Sequence, residues 1–201
     1  MTDARHLSFH GLAIKRLASA DAVASVIGLS AATVAGQFEA GIASGRVIET
    51  KGGYTLSPLA RVALEASYGR LYGSLRDDAR FEAAYQRFEA VNRALKQVIT
   101  DWQTVDVRGE RVINDHGDQA YDDKIIDRLA CVHDKVEPIL RALSAGLPRL
   151  STYADKLTEA LEKAEDGDIE WVSDIRRESY HTVWFELHED LLRIMGTVRD
   201  E

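Results

Sequence analysis

The chain has 201 residues, 45% of them hydrophobic and 29% charged, the balance of an ordinary folded protein able to bury a core in one or two small domains. A single cysteine, Cys131, excludes a disulfide framework or a zinc-finger spacing. With no signal-peptide core and no run of 18 apolar residues, the expectation is a cytoplasmic protein with no membrane partner. The net charge of −8 is unevenly spread: residues 1 to 70 hold seven Lys/Arg against five Asp/Glu, and residues 71 to 201 hold eighteen against twenty-eight. Only the first part tolerates a nucleic-acid surface, and the acidic remainder suits a small molecule, a cation or another protein.

Leu7, Phe9, Leu12, Ile14 and Leu17 predict a first helix. Asp21 is placed to N-cap a second, short one with Val23, Val26 and Ile27 inward, and Gly28-Leu29-Ser30 forms a turn. Ser30 caps a third helix, on which Val34, Phe38 and Ile42 form one buried stripe before Gly45 ends it. Two β-prone runs, Arg46 to Thr50 and Tyr54 to Leu56, flank a Lys51-Gly52-Gly53 tip and predict a hairpin. Ser57-Pro58 opens the next helix.

Helix, helix, turn, helix, hairpin, helix is the order of a winged helix-turn-helix. Residues 6 to 65 resemble the DNA-binding core of MarR-type and related bacterial regulators: Ala22 to Ile42 corresponds to the helix-turn-helix, and Arg46 to Leu56 with Ser57-Pro58-Leu59-Ala60 to the wing and its exit helix. The resemblance implies double-stranded DNA as a partner, read by Ser30, Thr33 and Gln37 with Arg46 and Lys51 on the backbone, by a homodimer. The third helix carries no Lys or Arg, which leaves open a winged helix that binds protein instead.

Beyond residue 75 the pattern is helical. Phe81, Tyr85, Phe88, Val91, Leu95, Val98 and Trp102 mark a long helix, and Ile125, Leu129, Val132, Val136, Ile139 and Leu143 its partner, which Pro138 is expected to kink or restart. Cys131 is read into that apolar pattern, and His133 as a boundary histidine. A helix over Ser151 to Ala164 ends at Asp166-Gly167-Asp168. A last one from near Asp174 presents Tyr180, Trp184, Leu187, Leu191 and Ile194. The expected architecture is therefore mainly α: a winged helix-turn-helix with a small hairpin wing over residues 1 to 70, then an antiparallel helical bundle over residues 71 to 201. Trp102, Trp171 and Trp184 read as core residues.

The connection from Thr104 to Asp123 is long for a bundle. Its Asn114-Asp115-His116 follows Asp101-Trp102, and the last helix adds Glu178, His181 and His188 on one edge. Asp101, Trp102, Asn114, Asp115, His116, Glu178, His181 and His188 are the candidate ligand-binding residues. The reading favoured over a ligand pocket is a hydrogen-bonded set that pins the long loop against the bundle. His181 and His188 are two turns apart, not one, so no metal is expected; no catalytic motif and no cofactor are expected either. Ser179 to Leu192, with Thr100 to Gln103 and Asn114 to His116, also resembles helical regions that follow a winged helix in bacterial proteins, some attached to phosphoenolpyruvate-utilising, dikinase-like enzymes. The domains that carry phosphate in those enzymes are absent. The implied role is an accessory or adaptor subunit rather than an enzyme.

Overall fold

The computed structural model describes residues 3 to 198 and is mainly α-helical with two small antiparallel hairpins. It divides into two compact units. One is built from the chain up to Asp78 together with the segment from Glu186 onward, the other from Ala79–Phe185. No single helix is long and apolar enough to cross a membrane.

In the first unit, α1 (Ala4–Lys15) ends where Arg16 takes a left-handed φ of 65°, so Leu17 lies beyond the helix and is 50% exposed. α2 (Ala20–Ile27) is capped by Ser19, whose Oγ accepts the Ala22 N–H at 3.2 Å, and not by Asp21, which sits in its first turn. Gly28 then adopts φ 71°, a conformation that costs glycine little, and Ser30 caps α3 (Ala31–Ala43) by accepting the Thr33 N–H. Val34 and Phe38 are buried as expected, but Ile42 is 39% exposed. The inward stripe continues at Gly41, where an added Cβ would come within 2.5 Å of Val47 Cγ2 and 3.3 Å of the Phe9 ring. Absence of a side chain lets α3 and the wing approach.

The wing is β1 (Val47–Thr50) against β2 (Gly53–Leu56), in register from Val47 opposite Leu56 to Thr50 opposite Gly53. Its tip is therefore the two residues Lys51-Gly52. Ala18 and Tyr54 exchange backbone hydrogen bonds of 3.1 and 2.9 Å, which ties the wing to the stretch before α2. α4 (Pro58–Arg76) starts with Ser57 as its cap and runs through residue 70, where a domain break is expected from the sequence.

In the second unit, α5 (Ala79–Gln103) packs along α6 (Gln119–Gly146). Leu95 and Leu129 are buried to within 2% of full occlusion. Val91 is only half-buried; its neighbour Asn92 turns inward, and its Oδ1 accepts the Trp184 indole N–H at 2.9 Å. α6 continues unbroken through Pro138. Cys131 is exposed, about half a turn around α6 from Leu129.

Residues 104 to 113, read as loop, form a second hairpin of β3 (Thr104–Val107) and β4 (Glu110–Ile113). Its tip, Arg108-Gly109, has two positive φ angles, and Asp106 Oδ1 accepts the Gly109 N–H at 2.8 Å. After a 3₁₀ turn at Pro148–Leu150 come α7 (Ser151–Glu165), a short α8 (Glu170–Ser173) and α9 (Tyr180–Met195). α9 begins six residues later than Asp174, with Ser179 Oγ accepting the Thr182 N–H. Trp102 and Trp184 are 2% exposed, whereas Trp171 is half-buried with the Lys163 ammonium 3.7 Å from its ring centroid.

From Glu186 onward α9 belongs to the first unit. Leu187, Leu191 and Ile194 are fully buried, and Arg76 Nε donates to the Ile194 carbonyl at 2.6 Å.

Candidate functional site

In the second unit the residues that join α5 to α6 build the most ordered polar constellation. The Asn114 amide nitrogen donates to the Trp102 carbonyl at 3.0 Å and to Asp122 Oδ1 at 2.9 Å, while its oxygen accepts the His116 backbone N–H at 3.1 Å. His116 Nδ1 lies 3.0 Å from Asp122 Oδ2. A carboxylate only accepts, so Nδ1 carries the proton and the same nitrogen is unavailable to Asn114, 3.2 Å away. The neutral ring then has its lone pair on Nε2, which has no hydrogen-bond partner among the described residues. Trp102 covers one side of the imidazole, with ring centroids 4.5 Å apart.

His116 holds φ 59°, a backbone region costly to a residue with a Cβ, and it keeps it because Asn114 and Asp122 clamp both its backbone and its ring. The Asp122 side chain is 5% exposed and that of His116 29%. Tyr121 adds a further tie, its hydroxyl donating to the Asp101 carbonyl at 2.8 Å, and Asp118 caps α6 through the Tyr121 N–H.

His116 and Asp122 line a cleft of about 770 Å³ whose other walls include Asp123, Asp127, Glu165 and Asp166. A neighbouring cleft of about 470 Å³ is lined by Asp101, Asn114, Asp115 and Asp118, with Arg111 the one cation among its lining residues. Chemically the first cleft offers an oriented imidazole lone pair among carboxylates, a setting for a cationic or hydrogen-donating group. Among the described residues no three His, Cys, Asp or Glu side chains are placed to hold a metal ion.

Of the residues expected from the sequence to form a ligand site, Trp102, Asn114 and His116 come together, joined by Asp122, which was not foreseen. Asp115 turns back to accept the Gly117 N–H at 3.0 Å, and Asp101 is engaged by Gln97 and by Arg128 at 2.8 Å. Glu178 pairs with Lys156 at 2.6 Å, and His181 is half-buried in the first turn of α9. Neither lines the His116 cleft. His188 is 4% exposed and belongs to the first unit. The signal for Asp122 is its place one turn into α6, four residues after the capping Asp118.

In the first unit, Ser30 and Thr33 are exposed with their hydroxyls 2.8 Å apart, and Gln37 is half-buried. Lys51 stands exposed at the wing tip. Arg46, at the foot of the wing, lines a cleft with Arg5 and Arg70. A buried relay also runs through this unit. Both His10 and Asp190 side chains are fully occluded, His10 Nε2 lies 2.8 Å from Asp190 Oδ1, and His10 Nδ1 lies 2.9 Å from the Tyr68 hydroxyl. Burial pushes the Tyr68 hydroxyl well above the ordinary phenol value, against the pull of the Arg193 guanidinium that bonds to it. Arg193 donating to Tyr68, Tyr68 to Nδ1, and Nε2–H to Asp190 satisfies the chain with a neutral imidazole. The sequence signal was Asp190 itself, an acid between Leu187 and Leu191 on an apolar stripe.

The chain matches no protein-family model, no curated protein and no solved structure.

Proposed function

We propose that the chain is a winged-helix DNA-binding regulator whose acidic helical unit serves ligand sensing or dimerisation. One observation carries this reading: the chain turns through 118° between α2 and α3, at a left-handed Gly28, and a two-stranded wing follows. That angle lies in the range of about 90–120° that lets the second helix of a helix-turn-helix enter a major groove. Thr33 and Gln37 are then the base-reading residues, with Ser30 beside them, and Arg46 and Lys51 contact phosphate. These cations are few, so the binding species is a homodimer. In the helical unit the ligand faces His116 in its acidic cleft, which favours a cationic or hydrogen-donating small molecule.

A second reading, an adaptor subunit that uses the winged helix to bind protein, has its own support. The exposed face of α3 is Ala32, Thr33, Gly36, Glu39 and Ala40, with no cation, and Ile42 and Ile48 are exposed nearby in sequence at 39% and 45%. Fluorescence anisotropy of the full chain on its own upstream DNA, over a salt series, separates the two. A regulator gives a log–log salt slope of magnitude roughly 4, from two phosphate-contacting cations on each of two protomers, an altered sequence preference in Gln37→Ala and a uniform loss in Lys51→Ala. A chain that sediments as a monomer and shows no salt-sensitive binding of duplex overturns the first reading.

A further inference from the structure

The first unit holds a concave cleft of about 460 Å³ between the first turn of α1, the foot of the wing and the middle of α4. Three guanidiniums line it, Arg5, Arg46 and Arg70, together with His6 and Ser67; one carboxylate, Asp3, opposes them. Arg46 and Arg70 have no ion-pair partner among the described residues. Arg5 is 3.8 Å from Asp3, with both side chains more than half exposed, a pairing too solvated to neutralise it. Phe9, Leu64 and Leu71 form an apolar floor, the first two buried at 7% and 6% exposure.

We infer that this cleft binds an organic phosphate monoester, the phosphate on the arginines and an apolar body on the floor. The charge matches. Three guanidiniums against one carboxylate leave a local surplus of two positive charges, and a phosphate monoester carries about −1.5 to −2 near neutral pH. Guanidinium forks fit the planar pairs of oxygens on a phosphate. The concavity and the apolar floor favour a compact ligand over a nucleic-acid backbone, which lies along convex or grooved cationic surfaces. His6 couples the cleft to the interior: its ring lies 6.0 Å from that of His10 and 3.4 Å, at Nε2, from the Tyr72 hydroxyl. The inference does not rest on the DNA-binding reading.

Isothermal titration calorimetry on the full chain at low ionic strength tests it with phenyl phosphate, inorganic phosphate and phenol. Phenyl phosphate is expected to bind, inorganic phosphate to bind more weakly and phenol not to bind. Arg46→Gln and Arg70→Gln, both at exposed positions, should each weaken phenyl phosphate by about ten- to hundredfold, the worth of one charge-assisted hydrogen bond. Arg87→Gln, at an exposed position of α5 in the other unit, should change nothing. Because Arg70 has no part in the proposed duplex contact, loss of phenyl phosphate binding in Arg70→Gln with duplex affinity unchanged supports the ligand site specifically. Three results overturn it: no heat with phenyl phosphate, undiminished binding by the Arg46→Gln/Arg70→Gln double variant, or Arg70→Gln weakening duplex DNA while phenyl phosphate binding is unchanged.

Discussion

Asp190→Ala is expected to be among the most damaging substitutions in the first unit. Both partners of the His10–Asp190 pair are fully occluded and 2.8 Å apart, so neither charge state of the imidazole is compensated by water. Removing the carboxylate takes away the acceptor of the Nε2–H and breaks the relay from Arg193 through Tyr68. Loss of one member of a buried pair costs about 3–5 kcal/mol, a large share of the roughly 5–15 kcal/mol that holds a domain together. Tyr68→Phe keeps the ring and deletes only the hydroxyl, for about 1–3 kcal/mol. His10→Leu combined with Asp190→Leu removes both polar groups, so the double variant should lose much less than the two single losses added. Urea denaturation followed by circular dichroism measures each difference. A loss below about 1 kcal/mol for Asp190→Ala, or strict additivity in the double variant, refutes the account of a coupled buried pair.

In the second unit, Leu129→Ala should cost about 2–5 kcal/mol in the same assay, because the side chain is completely buried against α5. Gly41→Ala should cost about 1–3 kcal/mol, since its Cβ would strike the stiff, β-branched Val47; an unchanged melting temperature would mean that the α3–wing approach is looser than 2.5 Å implies. Burial lowers the His133 imidazole below its usual 6.5, with Glu137, Asp134, Glu165 and Glu162 pulling the other way. The unfolded chain therefore takes up that proton first as pH falls, so stability rises with pH in the window just below 6.5 and levels off above it. His133→Gln should flatten that part of a melting-temperature profile; an unaltered slope rejects the assignment.

Periodicity made the helices legible, because a repeat of three and four residues is a property of the chain itself. Phe81 to Trp102 and Ile125 to Leu143 became α5 and α6, and Ser30 and Ser57 became caps where a hydroxyl precedes a helical run. The misses lie where a neighbour in space outweighs local preference. Ile42 continues the four-residue spacing of Val34 and Phe38, yet Gly41 faces inward because the wing needs the space. Asn92 is polar and interrupts the apolar spacing, yet Trp184, 92 residues away, gives it a buried partner. The β3–β4 hairpin was written in the alternation around Arg108-Gly109, but an arginine in the left-handed region is an uncommon turn former. Only part of the candidate site was readable for the same reason. Asn114 and His116 stand out by type, while Asp122 is hidden in a run of acids, and the gathering of His181 and His188 with His116 rests on a shared helix edge and on loop and helix ends meeting at one end of a bundle, which local spacing does not fix.

The return of α9 to the first unit bears on how the molecule is made. Synthesis delivers α1 to α4 early, but Leu187, Asp190, Leu191 and Ile194 emerge more than a hundred residues later. Until then His10 lacks its carboxylate and the apolar positions that those leucines cover stay wet. The winged-helix unit therefore cannot close on the ribosome as an independent N-terminal domain normally does. Its maturation waits for the intervening helices, and a nascent chain arrested before residue 190 should present this unit as a target for chaperones or proteases. Coupling completion of the first unit to arrival of α9 makes translation through that helix a condition of its stability.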